Sequence, residues 1–516
     1  MTDTLATPVS GGARAQDGQR LSGQPVGARS HRCTQPCSNA CGCSTDTARG
    51  THSLVDEDLL RRFDVAGPRY TSYPTADRFS DQFNADGLVQ ALKERLTSDR
   101  RDEPVSLYVH IPFCESVCYY CACNKVITKH HERGAPYLDK VAAELRLLAA
   151  HVPQGTPASQ LHLGGGSPTF LSDEEIGQLM TMLRAQFHLT ADAEISIEVD
   201  PRTVDATRLA ALRQLGFNRL SLGIQDFDPD VQRAVHREQS YESVAALMAS
   251  ARALGYQSIN ADLIYGLPQQ TAASFARTIQ QVNALRPDRI ALYGYAHLPE
   301  RFKPQRRIDG ATLPAAGDKL QMLSHALNGL LREGYTYIGM DHFALPDDSL
   351  AIAKREGRLQ RNFQGYSTQP DRDLIALGVS AISRIGAHYS QNAKDLTLYE
   401  EALAAGALPV ERGLTLDAND LRRRDIIMTL MCQGRLDMAA FGQRHGLNFA
   451  AAYADELERL AQLQRDGLVQ LTDTAIELTS LGWFFVRAVA MVFDQYFRRP
   501  RAAQATETPV RFSRIL

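Results

Sequence analysis

From about residue 105, the chain alternates short apolar runs with longer stretches in which apolar residues recur every three or four positions. The longer stretches place apolar side chains at i, i+3, i+4 and i+7 and predict helices at 135–152 and 173–187. The short runs predict strands at 106–111, 160–165, 194–199, 219–224, 259–266 and 289–295. Asp173 is expected to cap the second helix, and Asp192 and Asp200 to mark turns. Six alternating units predict an α/β fold, a partial (β/α)6 TIM-like barrel with its helices outside.

The regions that flank this alternating segment have different patterns. Residues 1–53 are polar, with almost no large apolar residues, and predict a disordered N-terminal extension that contains cysteines. We expect 54–104 to pack on the barrel, 105–398 to form it, and 399–516 to form a mostly helical, winged-helix-like C-terminal domain. Three helices followed by a hairpin raise DNA binding as a rival function, but the run Arg422-Arg423-Arg424 is interpreted as a solvated face.

Composition and charge narrow the class of protein. The 516 residues are 44% hydrophobic and 22% charged, as in an ordinary globular protein, and the net charge of −3 gives no basic field for nucleic acid. No apolar run reaches the roughly 18 residues of a membrane span, and the first residues lack the basic and apolar regions of a secretory signal. We therefore expect a cytoplasmic protein, in which clustered cysteines serve metal or redox chemistry rather than disulfides.

Four of the nine cysteines lie in one segment, FCESVCYYCACNK at 113–125. Cys114, Cys118 and Cys121 have the spacing C-x3-C-x2-C, whereas a structural zinc site usually divides its ligands into two separated pairs. Three thiolates cannot complete the four-ligand set of a [4Fe–4S] cube, so one iron stays open for a substrate or cofactor. Cys123 is predicted not to be a ligand, because a ligand two residues after Cys121 would strain the cube in a tight loop.

The other polar motifs also follow predicted strands. After the second to fifth strands come GGGSP, EVDP, GIQDF and DLIYGLP. Because the carboxyl ends of parallel strands form one site, we expect these motifs to share a cavity with the cysteine loop. GGGSPT at 164–169 offers closely approachable backbone amides, Glu198 can accept hydrogen bonds from ribose hydroxyls, and Arg237 can clamp a carboxylate.

The cysteine spacing, with Tyr120 directly before the third cysteine, resembles that of the radical S-adenosylmethionine (SAM) enzymes. The resemblance implies that the methionine part of SAM chelates the open iron. It further implies that the reduced cluster splits SAM into methionine and a 5′-deoxyadenosyl radical, which removes a hydrogen atom from the substrate.

Motifs along residues 55–516 narrow this resemblance. They are similar to those of oxygen-independent coproporphyrinogen III oxidase, a family of haem and porphyrin biosynthesis, and include GPRYTSYPTADRF, AEISIEVDPRT, GFNRLSLGIQDF, DLIYGLPQQT, IGMDHFALPDDSLA, RNFQGYSTQ and RFSRIL. The resemblance implies an oxidoreductase that decarboxylates two propionates of coproporphyrinogen III to the vinyl groups of protoporphyrinogen IX. It also implies a low-potential electron donor such as flavodoxin or ferredoxin, a terminal electron acceptor that the sequence does not identify, and a monomer.

The site residues of this family carry over to matching positions. Cys114, Cys118 and Cys121 would hold the cluster. The first SAM would contact Tyr108, Gly165, Glu198 and Ile382, with Tyr108 and Ile382 as walls for its adenine. The family also binds a second SAM, here at Tyr120, Gly166, Ser167, Gln225, Arg237, Asp262 and Ala296. Tyr120 and Ser167 are mild departures from residues that are often Phe and Thr in the family.

The nearest alternative is the haem-chaperone branch of the same superfamily. That branch typically lacks the fourth cysteine and carries an HNxxYW-like signature. Here Cys123 is present, the matching stretch is RNFQGY at 361–366, and no tryptophan follows it. The sequence therefore favours the oxidase.

Two sets of residues have no assigned role. One comprises candidate polar side chains near the predicted strand ends or family motifs: His110, His297, Asp341, His342 and Arg361. The other repeats the cysteine spacing with one extra residue: Cys33, Cys37, Cys41 and Cys43. The flanks of this second set have too few apolar residues to bury a cluster, so we expect the extension to be dispensable. An accessory metal-binding role for the four thiols is the alternative.

Overall fold

Parallel strands that alternate with helices build the first half of the chain. A computed structural model describes residues 61–63 and 65–498. Through residue 294 its helices and strands are α1 (Ala85–Thr97), β1 (Val105–Ile111), β2 (Phe113–Cys114), β3 (Val126–Ile127), α2 (Gly134–Ala149), β4 (Thr156–Gly165), α3 (Asp173–Gln186), β5 (Phe187–Val199), α4 (Ala206–Gln214), β6 (Arg219–Gln225), α5 (Pro229–Ala234), α6 (Tyr241–Ala253), β7 (Ser258–Tyr265), α7 (Ala272–Leu285) and β8 (Arg289–Gly294). The predicted extension with its four cysteines, and the motif RFSRIL, lie outside the described residues.

The six predicted strands are β1 and β4 to β8, which lie side by side in chain order and run parallel. Leu163 of β4 pairs with Val109 of β1 on one side and Ile197 of β5 on the other, and all three side chains are buried. Helices connect the successive strands from β4 to β8 and cover the sheet. The predicted α/β partial barrel is confirmed.

Two local predictions within this barrel are wrong. Asp192 lies inside β5 rather than at a turn, because β5 begins at Phe187, where it already pairs with Thr156 of β4. Asp173 is the first residue of α3 and not its cap. The cap is Ser172, whose hydroxyl accepts from the Glu175 amide at 3.2 Å, while the Glu175 carboxylate accepts from the Ser172 amide at 2.8 Å. This reciprocal pair satisfies two amides that the helix itself leaves unbonded.

The sheet extends beyond the six predicted strands. The elements that follow β8 are α8 (Ala316–Arg332), β9 (Thr336–Gly339), β10 (His342–Ala344), α9 (Ser349–Arg355), β11 (Gln360–Asn362), β12 (Gly365–Ser367), β13 (Leu374–Leu377), β14 (Ile382–Ile385), β15 (His388–Asn392), α10 (Leu396–Ala404) and β16 (Val410–Thr415). β13 pairs in parallel with β1, and β14, β15 and β16 continue antiparallel from it, while β10 and β9 extend the opposite edge. The predicted boundary at residue 398 therefore falls inside α10, and β16 beyond it still pairs with this sheet. The four-part division of the chain stays a prediction.

The segment before β1 packs on the barrel. Leu88, Ala91 and Leu92 of α1 belong to the same buried cluster as Val105 of β1. Arg95 of α1 donates to Asp373, next to β13, at 2.9 Å, and both side chains are almost fully buried. Apolar burial and one buried ion pair thus attach α1 to the sheet.

Short helices and a small sheet form the C-terminal part. Its elements are α11 (Ala418–Gln433), β17 (Arg435–Asp437), α12 (Met438–His445), α13 (Phe449–Ala452), α14 (Ala454–Arg465), β18 (Val469–Leu471), β19 (Ala475–Leu478), α15 (Val486–Met491) and α16 (Gln495–Arg498). The strands form an antiparallel sheet in the order β17-β19-β18. The predicted solvated face on α11 is wrong for two arginines: Arg423 pairs with Glu456 at 3.1 Å, and Arg424 binds both oxygens of Asp371 at 2.9 Å. Both interactions face the protein, which leaves fewer charges for DNA. No helix in the described ranges is long and apolar enough to cross a membrane.

Candidate active site

A cavity of about 630 Å³ lies within the barrel and reaches the carboxyl ends of its strands. Its volume is in the range of small-molecule sites. Most of the predicted site residues line it: Cys114, Cys118, Tyr120, Cys121, Gly165, Gly166, Ser167, Glu198, Gln225, Arg237 and Asp262. They come from five strand ends that are far apart in the sequence, as expected for one site at this edge of the sheet.

Three predicted site residues are not among the residues that line the cavity: Tyr108, Ala296 and Ile382. Tyr108 lies beside it: it pairs with His162, a lining residue, on the same face of the sheet, and the two rings stack with their centres 5.9 Å apart. Ile382, in β14, packs against an apolar cluster formed by Phe79, Tyr389 and Leu416. Ile382 is the first residue of β14, which runs antiparallel to β13, and its contact with a cofactor stays a prediction.

Backbone hydrogen bonds hold the cysteine loop at its base. The Val126 amide donates to the Pro112 carbonyl at 2.8 Å, and the Thr128 amide donates to the Cys114 carbonyl at 2.9 Å, so that β2 pairs with β3. Farther along the loop, the side chain of Gln305 donates to the Tyr120 carbonyl at 3.0 Å. These hydrogen bonds restrict the loop, and a restricted loop lowers the entropy cost of assembling a metal site.

Basic side chains surround the thiols. Arg237 Nη1 lies 3.4 Å from the sulfur of Cys118, and Arg202 Nη2 lies 3.8 Å from it. Lys125 donates to the carbonyls of Cys121 and Cys123 at 3.3 and 3.2 Å. Cationic donors next to sulfur favour thiolate over thiol.

The thiols differ in how readily they ionise. A hydrogen bond with Cys123, aided by the charge of Lys125 and opposed by burial, lowers the pKa of Cys121 to about 6. Burial and the charges of Cys121 and Cys118 raise the pKa of Cys114 to about 12. Cys121 is therefore the thiol of this pair that ionises more readily.

This donor set fits an iron–sulfur cluster. Three thiols from one loop face the same cavity, and the arginine beside Cys118 can stabilise a negatively charged cluster. Within the described ranges, no three His, Cys, Asp or Glu side chains converge as ligands of a single metal ion. A cube needs no such convergence, because each thiolate binds a different iron atom. Cys123 also lines the cavity, but its role as a non-ligand stays a prediction.

The glycine loop after β4 supports the cysteine loop directly. The Gly166 amide donates to the Ile111 carbonyl and the Ser167 amide to the Phe113 carbonyl, both at 2.8 Å. The Gly165 amide donates to Glu198 Oε2 at 3.1 Å. The prediction that these amides are available to a cofactor is therefore wrong, since all three already have protein acceptors. Gly165 also has φ +122°, a conformation that favours glycine.

Glu198 combines a fixed position with an accessible carboxylate. Besides the Gly165 amide, it interacts with His162 Nε2 at 3.3 Å, and 43% of its side chain is exposed. An anchored carboxylate that faces a cavity is a suitable acceptor for hydroxyl groups of a ligand.

Asp262 and Arg237 both line the cavity, and each is held by hydrogen bonds to neighbouring protein groups. Burial, followed by the charge of Glu198, raises the pKa of Asp262 to about 6, although Ser221 and Asn260 both donate to its carboxylate. Arg237 donates from Nε and Nη2 to the Gly223 carbonyl, and its Nη1 lies 3.2 Å from Asp200. The predicted carboxylate clamp thus has its donors engaged by protein acceptors, so Arg237 positions the cysteine loop in this structure.

Sequence reasoning gave several supporting residues no role in the site. His110 receives a hydrogen bond from Tyr108 at 3.1 Å and, in the corresponding tautomer, donates to the Asn124 carbonyl at 3.0 Å. Burial lowers the pKa of His110, in keeping with a neutral ring. Arg202 binds Asp200 at 2.7 Å and faces Cys118. The EVDPRT motif contained Asp200 and Arg202, but only the fold places them beside the cysteine.

Comparison with known proteins identifies the family to which this chain belongs. A model described as the radical SAM superfamily matches residues 108–282, and one described as the HemN C-terminal domain matches residues 416–485. The oxygen-independent coproporphyrinogen III oxidase of Pseudomonas aeruginosa is 49% identical over 443 residues, which are 86% of this chain and 96% of that protein. The protein of the same name from Escherichia coli is 46% identical, over 89% and 98% of the two chains. This chain belongs to the oxygen-independent coproporphyrinogen III oxidase family.

The fold supports the same assignment to the oxygen-independent coproporphyrinogen III oxidases. A solved structure described as coproporphyrinogen III oxidase (HemN) from Escherichia coli, a radical SAM enzyme, matches with a TM-score of 0.81 at 46% identity. The match covers 86% of this chain and 99% of the other. The predicted family is confirmed, and the haem-chaperone alternative is not favoured. Membership implies a [4Fe–4S] cluster and SAM.

Proposed function

We propose that this protein converts coproporphyrinogen III to protoporphyrinogen IX without oxygen, by oxidative decarboxylation of two propionates to vinyl groups. The observation that carries the proposal is the joint placement of Cys114, Cys118 and Cys121 with the polar ends of the neighbouring strands around one cavity. Relatives that align with this chain over nearly their whole length are named oxygen-independent coproporphyrinogen III oxidase, and the decarboxylation is what the family resemblance implies.

The residues of the chain have distinct tasks in this proposal. Cys114, Cys118 and Cys121 hold the cluster, and Arg237 and Arg202 stabilise its negative charge through Cys118. When bound, the reduced cluster and SAM supply the radical chemistry that removes a hydrogen atom from the propionate. Glu198 accepts hydrogen bonds from the ribose of the first SAM, which its exposed and anchored carboxylate supports.

A second SAM is part of the proposal. Its contacts would be Tyr120, Gly166, Ser167, Gln225, Arg237, Asp262 and Ala296, of which all but Ala296 line the cavity. Gln225 has an unbonded buried Oε1 and a left-handed backbone at the end of β6, both of which are consistent with ligand binding there. Tyr108 and Ile382 belong to the first SAM site by family resemblance, with weaker geometric support.

The partners and setting complete the proposal. We expect a monomer in the cytoplasm that receives electrons from a flavodoxin or ferredoxin. A one-electron acceptor must also take the electron that remains after CO2 leaves. Neither nucleic acid nor membrane enters the reaction.

Anaerobic turnover is the direct test. The reconstituted protein, with SAM, a chemical reductant and a one-electron acceptor, is expected to convert coproporphyrinogen III to protoporphyrinogen IX with release of CO2, methionine and 5′-deoxyadenosine. Titration of the apoprotein with haem serves as the control. Tight stoichiometric haem binding without turnover by the fully reconstituted protein would overturn the proposal in favour of a haem carrier.

A further inference from the structure

Arg361, in β11, is a buried cation that lacks a carboxylate partner. Its exposure is 4%, and in the described part of the chain it forms no ion pair. Its Nε and Nη1 atoms are buried without a hydrogen-bond acceptor. A buried charge without a partner lowers the stability of the folded protein, so such a charge is expected mainly where a bound ligand supplies the opposite charge.

Asp341 and two further arginines, Arg69 and Arg487, are the charged groups near Arg361 that the described residues supply. Arg69, Arg361 and Arg487 all act electrostatically on Asp341, whose pKa burial nevertheless raises. Arg69 Nη2 lies 3.2 Å from the Asp341 carboxylate, whereas Arg487 donates to the carbonyls of 67 and 68. Of the three guanidinium groups that act on this carboxylate, Arg69 is hydrogen-bonded to it, whereas Nε and Nη1 of Arg361 have no acceptor in the described part of the chain.

Aromatic rings connect this cluster to the cavity. The guanidinium carbon of Arg361 lies 4.6 Å from the ring centre of Tyr366, and that of Arg69 lies 5.3 Å from the ring centre of Tyr293. Tyr366 and Tyr293 both line the cavity, with His342 between them at ring distances of 5.5 and 6.0 Å. The guanidinium carbons of both arginines thus lie about 5 Å from the centres of rings that form the cavity wall, although neither arginine is itself a lining residue.

The turn that presents Asp341 and His342 is strained. It joins β9 to β10, and its residues Met340 and Asp341 have φ +46° and +67°, values that non-glycine residues rarely adopt. Two consecutive residues of this kind are maintained where the surrounding structure requires them, often at binding sites.

We propose that Arg361, assisted by Arg69, binds a carboxylate of the substrate at the wall formed by Tyr293, His342 and Tyr366. A guanidinium offers two parallel N–H donors that match the two oxygens of a carboxylate. That the carboxylate is a propionate of coproporphyrinogen III rests on the proposed function. Asp341 orients Arg69 and competes with the ligand for the same donors.

The test measures binding as well as turnover. The variants are Arg361→Gln, which removes the positive charge, and Arg361→Lys, which keeps the charge but lacks the two parallel N–H donors of a guanidinium. Arg358→Gln is the matched control, because Arg358 is an exposed cation of the same segment, paired with Glu356. The probes are coproporphyrin III and its tetramethyl ester, added to the reconstituted protein. Binding is followed by quenching of Trp483, the one tryptophan of the chain, which flanks the turn at Gly339.

We expect Arg361→Gln to weaken binding of the tetra-acid about 10- to 100-fold, the factor for a lost charge-assisted hydrogen bond. Its affinity for the ester should change less than about threefold, and Arg361→Lys should be intermediate for the acid. The KM for coproporphyrinogen III should rise in parallel while iron content and the SAM affinity stay as in the wild type. If Arg361→Gln does not fold, Arg361→Lys decides alone: weaker binding of the acid but not of the ester supports the subsite.

An unchanged affinity for the acid in the folded variants would overturn the subsite, as would an equal loss for acid and ester. This result is distinguishable from failure of the proposed function. A wild-type protein that binds coproporphyrin III through Arg361 but never turns over coproporphyrinogen III would retain the subsite and reject the reaction. A wild-type protein that turns over normally, with Arg361→Gln indistinguishable from it, would reject the subsite alone.

Discussion

Replacement of Gly166 by alanine tests how the glycine loop supports the cysteine loop. A Cβ at this position would lie 2.7 Å from the carbonyl oxygens of Pro112 and Phe113. These are backbone atoms that cannot rotate away, and ordinary contact begins near 3.4 Å, so one segment must move by about 0.7 Å. Cys114 follows Phe113 directly and is expected to move with it.

The magnitude follows from the bonds that this movement stretches. The Gly166 and Ser167 amides donate to Ile111 and Phe113 at 2.8 Å, and an added 0.7 Å would take them beyond hydrogen-bond range. Two lost hydrogen bonds at about 1 kcal/mol each, with the strain of overpacking, give a loss of about 2 to 4 kcal/mol in the free energy of unfolding.

Urea unfolding of the apoprotein and iron per chain after reconstitution measure the two effects of Gly166→Ala. We expect a lower unfolding midpoint and less than the full cluster content. Gly317→Ala is the control, because a Cβ there meets no atom within 4 Å and alanine favours the helix that contains it. A Gly166→Ala protein with the midpoint of the wild type and a full cluster would refute this account of the loop.

Four further predictions concern the cluster, the cofactor and the scaffold. The predicted cluster ligands are Cys114, Cys118 and Cys121, and alanine at any one of them should abolish the cluster absorbance and turnover, whereas Cys123→Ala should keep the iron. The iron content of each variant is the measurement, and a full iron content in a ligand variant would contradict the assignment. Glu198→Gln should weaken SAM binding by about 1.5–3 kcal/mol with the cluster intact, as measured by equilibrium dialysis; unchanged affinity would remove the ribose role. Burial raises the pKa of Asp262 to about 6, so its side chain becomes a charged carboxylate as the pH rises through that value. The affinity for the second SAM should therefore increase from about pH 5 to about pH 7 in the wild type and should not change over this range in Asp262→Asn. Asp373→Asn leaves the buried Arg95 without its carboxylate partner and should lower the free energy of unfolding, measured in urea, by about 3 kcal/mol. A much smaller loss would show that apolar packing alone attaches α1.

Local patterns determined much of this protein. The apolar residues predicted six of the parallel strands, because one face of each strand packs against helices; in β6 and β7 the apolar positions alternate with residues on the face towards the cavity. The cysteine spacing predicted the cluster loop because its ligands are contiguous. The strand-end rule placed Glu198 and Asp262 in one cavity, since parallel strands present their carboxyl ends at one edge.

Long-range pairing decided the remainder. No local pattern indicates that β13 adds to β1 across more than 260 residues, or that the amides of Gly165 and Gly166 are already bonded to protein acceptors. Arg361 looks in sequence like any surface arginine, and only the fold buries it near Asp341, with no ion-pair partner among the described residues. The surroundings of Arg361 come from segments near both ends of the chain, among them those of Arg69 and Arg487. The sequence alone could therefore name Arg361 as a candidate but could not give it a role.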